Sequence, residues 1–149
     1  MSSNARTTLA ALAGIVAATV VAAAVQLISA RLYPMPPGLD GAGSAQMREY
    51  IAGLPLVAFV LVLVSWLVGT FIGGLVAARI AGTQAMLGSG AVGAFMLAAT
   101  IANLVMFPPP VWIAVAAVVG IPAAAWLAGR AGHLGVRPPP FRPSAPRDR

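Results

Sequence analysis

Apolar residues come in four long blocks, separated by short polar or proline-rich stretches. The first runs from Thr7 to Ala30, with Thr19, Gln26 and Ser29 as polar interruptions. The second runs from Leu54 to Ile80 and holds one charge, Arg79, at its end. The third runs from Ala85 to Met106, and the fourth from Val111 to Ala128 with Pro122 inside it. A helix needs about 20 apolar residues to cross the hydrocarbon layer. The pattern therefore predicts an all-α integral membrane protein, a four-helix bundle over residues 1–128. The first block is longer than the 7–15 residues typical of a signal-peptide core, so it is expected to stay as a span.

The stretches between blocks predict the connections. From Tyr33 to Gly38, four of six residues are Pro or Gly, which excludes helix and favours extended or turning backbone. Ser44 is placed to cap a short helix through Gln46, Met47 and Arg48. Pro55 then either kinks that helix or opens the next one at its first turn. Phe107-Pro108-Pro109-Pro110 stops the third block and makes the last two an antiparallel hairpin. The link from Ala81 to Gln84 is equally tight. Span ends echo one another, Tyr33-Pro34-Met35-Pro36 with Phe107-Pro108-Pro109-Pro110, and Ala78-Arg79-Ile80-Ala81-Gly82 with Gly129-Arg130-Ala131-Gly132. Duplication of a helical hairpin and chance in a low-complexity sequence both account for this.

Composition supports lipid as the solvent. Of the 149 residues, 60% are hydrophobic and 8% charged, against about 25% charged in ordinary soluble domains. All nine basic residues are arginine, which, with the excess of Ala, Gly, Val and Pro, matches a GC-rich bacterial genome. The net charge of +6 suggests nucleic acid less than topology. With the N-terminus inside, Arg6, Arg79, Arg130, Arg137, Arg142, Arg147 and Arg149 fall on the cytoplasmic side, and only Arg31 and Arg48 fall outside. The positive-inside bias thus predicts N-in/C-in topology in the bacterial inner membrane. Tyr33, Tyr50, Phe107 and Trp112 then sit at the outer interface and Trp126 at the inner one, the depth amphipathic rings prefer. Arg79, Arg130, Trp112 and Trp126 are the expected topology and lipid anchors. Trp66 is the exception, mid-span with an indole N–H that needs a partner. The tail from Gly129 on carries five arginines and five prolines and is expected to be disordered. Its Pro140-Phe141-Arg142-Pro143 is a weak Pro-x-x-Pro match.

In lipid, helices associate through close packing of small residues rather than through burial of apolar area. Each block has a row at four-residue spacing, on one helix face. The rows are Ala10, Gly14, Ala18, Ala22; Gly69, Gly73, Ala77, Ala81; Gly90, Ala94, Ala98, Ala102; and Ala116, Gly120, Ala124, Ala128. The second block adds an adjacent row, Thr70, Gly74, Ala78, Gly82, which makes it the candidate for the centre of the bundle. The Gly69, Gly73, Gly74 cluster with Ala77 is the strongest packing signal, since glycine costs helix stability and asks for a reason. Homo- or hetero-oligomers through such faces are expected, alongside lipid partners. The Gly120–Pro122 bend is either a hinge or a static adjustment.

Chemistry is sparse. There are no cysteines, which excludes disulfides, thiolate metal sites and cysteine nucleophiles. No ionisable residue lies mid-span, where charge is costly and therefore purposeful. The first block lacks the glutamate of small multidrug exporters. The aspartates, Asp40 and Asp148, are not the paired intramembrane aspartates of membrane peptidases. His133 has no acidic neighbour, so no metal site or cofactor is implied. What remains is a polar layer near the outer face: Gln26 and Asn103 at similar depth, with Arg31, Tyr33, Asp40, Arg48, Glu49 and Tyr50 above them.

The run Tyr33-Pro34-Met35-Pro36-Pro37-Gly38-Leu39-Asp40, then Tyr50-Ile51-Ala52-Gly53-Leu54-Pro55, Trp66-Leu67-Val68-Gly69, Gly73-Gly74 and Ala77-Ala78, resembles a family of small four-helix bacterial inner-membrane proteins. Asn103-Leu104-Val105-Met106, Pro108 and Trp112 resemble its third-span ending. The family carries no assigned activity, so the resemblance implies topology and not chemistry. The sequence therefore predicts a non-catalytic membrane protein, an accessory subunit or oligomeric scaffold. The alternative is a small oligomeric transporter or channel for a lipid-like or neutral solute, and a lipid-modifying enzyme using Asp40, Arg48 and Glu49 comes third. A water-accessible cavity at Gln26 and Asn103 favours transport over a dry subunit role.

Overall fold

A computed structural model of the chain describes residues 3–37 and 45–134. It is all-helical: α1 (Ser3–Leu32), α2 (Ala45–Ala52), α3 (Leu56–Ala81), a 3₁₀ turn (Gly82–Gln84), α4 (Ala85–Met106) and α5 (Val111–Leu134). Three helical stretches, Ser3–Leu32, Leu56–Met106 and Val111–Leu134, are long and apolar enough to cross a membrane. The middle stretch doubles back at Gly82, so α3 and α4 pack side by side. Gly82 has φ +65°, a conformation that side chains with a Cβ disfavour. Its N–H closes α3 on the Ala78 carbonyl.

The breaks follow from local chemistry. Pro55 sits at the N-cap of α3 with extended backbone, so it opens α3 and leaves α2 a separate helix. Phe107 caps α4, its N–H bonded to the Asn103 carbonyl at 2.8 Å, and the prolines that follow cannot continue the helix. Ser44 lies outside the described residues, and so does the segment Pro140–Pro143. The tail starts later than the composition implies. α5 continues past Ala128 to Leu134, with Gly129 and Gly132 buried. Those glycines pack against Ser89 and Met86 and against Ala78, and that contact holds the helix beyond its apolar block.

Small residues fill much of the interior, around a few large ones such as Trp66, Val92, Met96, Ile113 and Ile121, and many large apolar residues face outward. Leu9, Leu12, Val16, Val20, Leu27 and Val105 are exposed, while Ala10, Ala18, Ala77, Ala85, Ala117 and Ala128 are fully buried. Burial inverted by size suits a protein whose surroundings are as apolar as its side chains. α3 is central, packing against α1, α4 and α5. Its Gly69, Gly73 and Ala77 face α1, and its Gly74 and Ala78 face α5. An ideal Cβ on Gly73 would lie 2.3 Å from the Gly14 carbonyl oxygen, so α1 and α3 touch backbone to backbone. The α1 row, Ala10, Gly14, Ala18 and Ala22, is buried throughout.

α4 and α5 depart from the expected rows. Gly90, Ala94, Ala98 and Ala102 are exposed. α4 instead buries Ala85, Gly88, Ser89, Val92, Gly93, Met96 and Thr100. α5 leaves Ala116, Gly120 and Ala124 only half-buried and buries Ile113, Ala117, Ile121, Ala125, Ala128, Gly129 and Gly132. Both helices have small residues on more than one face, so spacing alone does not select the most buried one, though on α5 Ala128 is fully buried and Gly120 packs against Leu67. Interior hydroxyls bond back to their own helix, Ser65 to the Val62 carbonyl at 2.6 Å and Thr70 to the Trp66 carbonyl at 2.7 Å. Among the described residues no buried side-chain nitrogen or oxygen lacks a partner.

The two ends of the molecule differ. At one end α1 begins, α3 turns into α4, and α5 finishes, bringing Arg6, Arg79 and Arg130 to the same level. Arg6 donates from Nε to the Ile80 carbonyl at 2.6 Å, placing a cation on the C-terminus of α3 where the helix dipole favours it. Beside it the Thr7 hydroxyl donates to Oε1 of Gln84. The opposite, aromatic end carries Tyr33, Tyr50, Phe107 and Trp112.

Candidate functional site

The aromatic end holds a half-open cavity of about 330 Å³, within the range of small-molecule pockets. Every long helix contributes. α1 supplies Gln26, Ser29 and Ala30; α3 supplies Ala58, Phe59, Val62 and Trp66, which share a face at helical spacing. α4 supplies Asn103, with Phe107 just after it, and α5 supplies Ile113. Trp66 is 6% exposed and forms the floor. Its mid-span position, unexplained by interfacial anchoring, was the signal for this cavity.

α2 lies over the cavity. Met47, Tyr50 and Ile51, spaced i, i+3, i+4, line it, and Met47 is 4% exposed. The Tyr50 hydroxyl lies 3.4 Å from the Tyr33 carbonyl, a long hydrogen bond tying α2 to the end of α1. This orientation turns Arg48 and Glu49 to the opposite face of α2, where they are exposed.

Of the residues that the sequence places in an outer polar layer, the structure brings Gln26, Asn103, Tyr33 and Tyr50 to one cavity. Arg31, Arg48 and Glu49 are exposed and do not line it. Asp40 lies outside the described residues. The correction has a chemical consequence, because among the described residues the lining contains no charged side chain. Polarity comes from carboxamides, hydroxyls and the indole. Nε2 of Gln26 lies 3.4 Å from the Ser65 hydroxyl, and Gln26 and Asn103 are themselves exposed in the wall. Such a site offers hydrogen-bond donors and acceptors in an apolar hollow. It suits an uncharged, partly polar guest, since an ion would lose hydration without a counter-charge.

Below Trp66 the interior closes. Ideal Cβ atoms on Gly14, Gly69 and Gly73 would fall 2.6, 2.8 and 2.3 Å from backbone oxygens of the facing helix, closer than any side chain tolerates. No space for a solute remains in that α1–α3 seam. The described residues contain no group of three or more His, Cys, Asp or Glu placed to hold a metal ion.

These features define a class: a helical membrane protein with a small cavity near one end, lined among the described residues by apolar and neutral polar side chains. Comparison with protein-family models, with curated proteins and with solved structures gave no match.

Proposed function

We propose that this protein crosses the bacterial inner membrane four times, with both termini in the cytoplasm, and binds a neutral, lipid-like molecule at its outer face. It acts without catalysis, as a binding or accessory component. The observation that carries this reading is the cavity at Gln26, Asn103 and Trp66, open at the aromatic end and, among the described residues, lined by no charged side chain. The arginines grouped at the opposite end support the topology. The sealed glycine seam beneath Trp66 disfavours passage through one copy, so transport of the guest would need several copies around a shared path. A second reading, an oligomeric scaffold, draws on the exposed small-residue row Gly90, Ala94, Ala98 and Ala102.

The test is native mass spectrometry of the protein released gently from its own membrane. One neutral molecule of defined mass should be carried by the wild type and lost from Ala30→Phe, which fills the cavity from an exposed wall position. Wild-type and A30F protein carrying the same lipids in the same amounts would sink the proposal.

A further inference from the structure

A second concave feature lies at the basic end, between α4 and α5. Two adjoining hollows of about 310 and 440 Å³ share Met86 and Trp126 and so form one groove. Toward mid-span the groove is floored by glycine and alanine, and Pro122 stands in its wall. An ideal Cβ on Gly90 would meet no atom within 4 Å, so the glycine there leaves open space. At its end the groove opens beside Trp126, Arg130 and His133. The guanidinium carbon of Arg130 lies 4.3 Å from the centre of the Trp126 ring, a cation–π distance. The ring takes one face of the guanidinium and leaves its edge N–H donors for an acceptor.

Charge identifies the occupant. Among the described residues the only acidic side chain is Glu49, on α2 at the aromatic end. Arg6, Arg79 and Arg130 therefore share their end with no described carboxylate. The described residues of a second copy seated in the groove would bring the same arginines and no compensating acid at that level. A phospholipid with an anionic headgroup supplies what is missing, a phosphate for Arg130 and an acyl chain for the floor beside Gly90. We propose that the α4–α5 groove is a binding site for one anionic phospholipid of the cytoplasmic leaflet. The inference rests on the proposed orientation for the leaflet it names and is independent of the guest in the aromatic-end cavity.

The test uses the full chain, delipidated and reloaded with phosphatidylglycerol or phosphatidylcholine of matched acyl chains, read by native mass spectrometry. Wild type should retain one phosphatidylglycerol with about fivefold preference, the scale of one basic residue beside an anionic headgroup. Arg130→Gln should abolish the preference while keeping some retention of both lipids. Gly90→Leu should reduce retention of both lipids while leaving the thermal midpoint unchanged, because its side chain enters open space. Equal retention of the two lipids by wild type would reduce the groove to annular contact and overturn the proposal. Displacement of phosphatidylglycerol by inorganic phosphate would make it a small-anion site instead. A dimer broken by G90L but not by R130Q would give the groove to a second copy.

Discussion

The close approach of α1 and α3 at Gly73 makes a quantitative prediction. Replacing Gly73 by Ala adds one carbon at 2.3 Å from the Gly14 carbonyl oxygen, 2.6 Å from the Ala18 Cβ and 2.8 Å from the Ala18 nitrogen. Two of those three atoms are backbone and cannot swing aside. Reaching ordinary contact at 3.4 Å requires the helices to part by roughly 1 Å (3.4 minus 2.3), which loosens the neighbouring contacts at Gly69 and Ala77 as well. Overpacking of this kind costs about 1–3 kcal/mol. In water, alanine's better helix propensity would return up to about 1 kcal/mol. In a bilayer the separated helices keep their backbone hydrogen bonds, so little of that gain applies and the penalty stands nearly whole. Gly90→Ala is the control, because its Cβ meets nothing within 4 Å and exposed substitutions stay within about 0.5 kcal/mol. The assay is unfolding by increasing mole fraction of a harsh detergent in mixed micelles. G73A should unfold at lower mole fraction than wild type and G90A should not. Equal midpoints for the two variants would refute the backbone-contact argument.

Further predictions test the two ends. Arg6→Gln removes the cation from the C-terminus of α3 and should cost about 0.5–1 kcal/mol in the same unfolding assay, with Arg6→Lys intermediate; an unchanged R6Q midpoint would mean that the contact to Ile80 contributes nothing. Gln26→Leu should weaken the neutral guest's retention in native mass spectra but change stability by no more than about 0.6 kcal/mol, the mean for a hydrogen bond between membrane helices. Because the chain has no cysteine, single cysteines report topology directly. Arg48→Cys should react with an impermeant maleimide on intact cells and Ser3→Cys only after permeabilisation, and the reverse pattern would invert the proposed orientation.

The cavity was only partly legible in the sequence. Gln26 and Asn103 announce themselves as the lone carboxamides of the first and third apolar blocks, and both reach the cavity. Arg31, Arg48 and Glu49 attract notice for their charge, yet charge keeps them in contact with water, outside an apolar hollow. Met47, Tyr50 and Ile51 are legible only as a face of α2 that needs a surface to cover, and which surface depends on where the loop folds back. Trp66 signals an unusual environment without saying which helices build it.

Helix content and the apolar surroundings follow from the sequence by itself, because block length and apolar composition are local properties that lipid converts directly into helices. The breaks at Gly82, Pro55 and Pro108–Pro110 are local too, each enforced by one residue's backbone chemistry. Which face of each helix turns inward belongs to the tertiary structure. α1 and α3 present one dominant small-residue surface and bury it. α4 and α5 carry small residues on several faces, so the choice between the Gly88–Val92–Met96 face and the Gly90–Ala94–Ala98 face falls to their contacts with α3 and with each other. Only that choice leaves the α4 row exposed, opens the groove beside Arg130 and brings five helices around Gln26, Asn103 and Trp66.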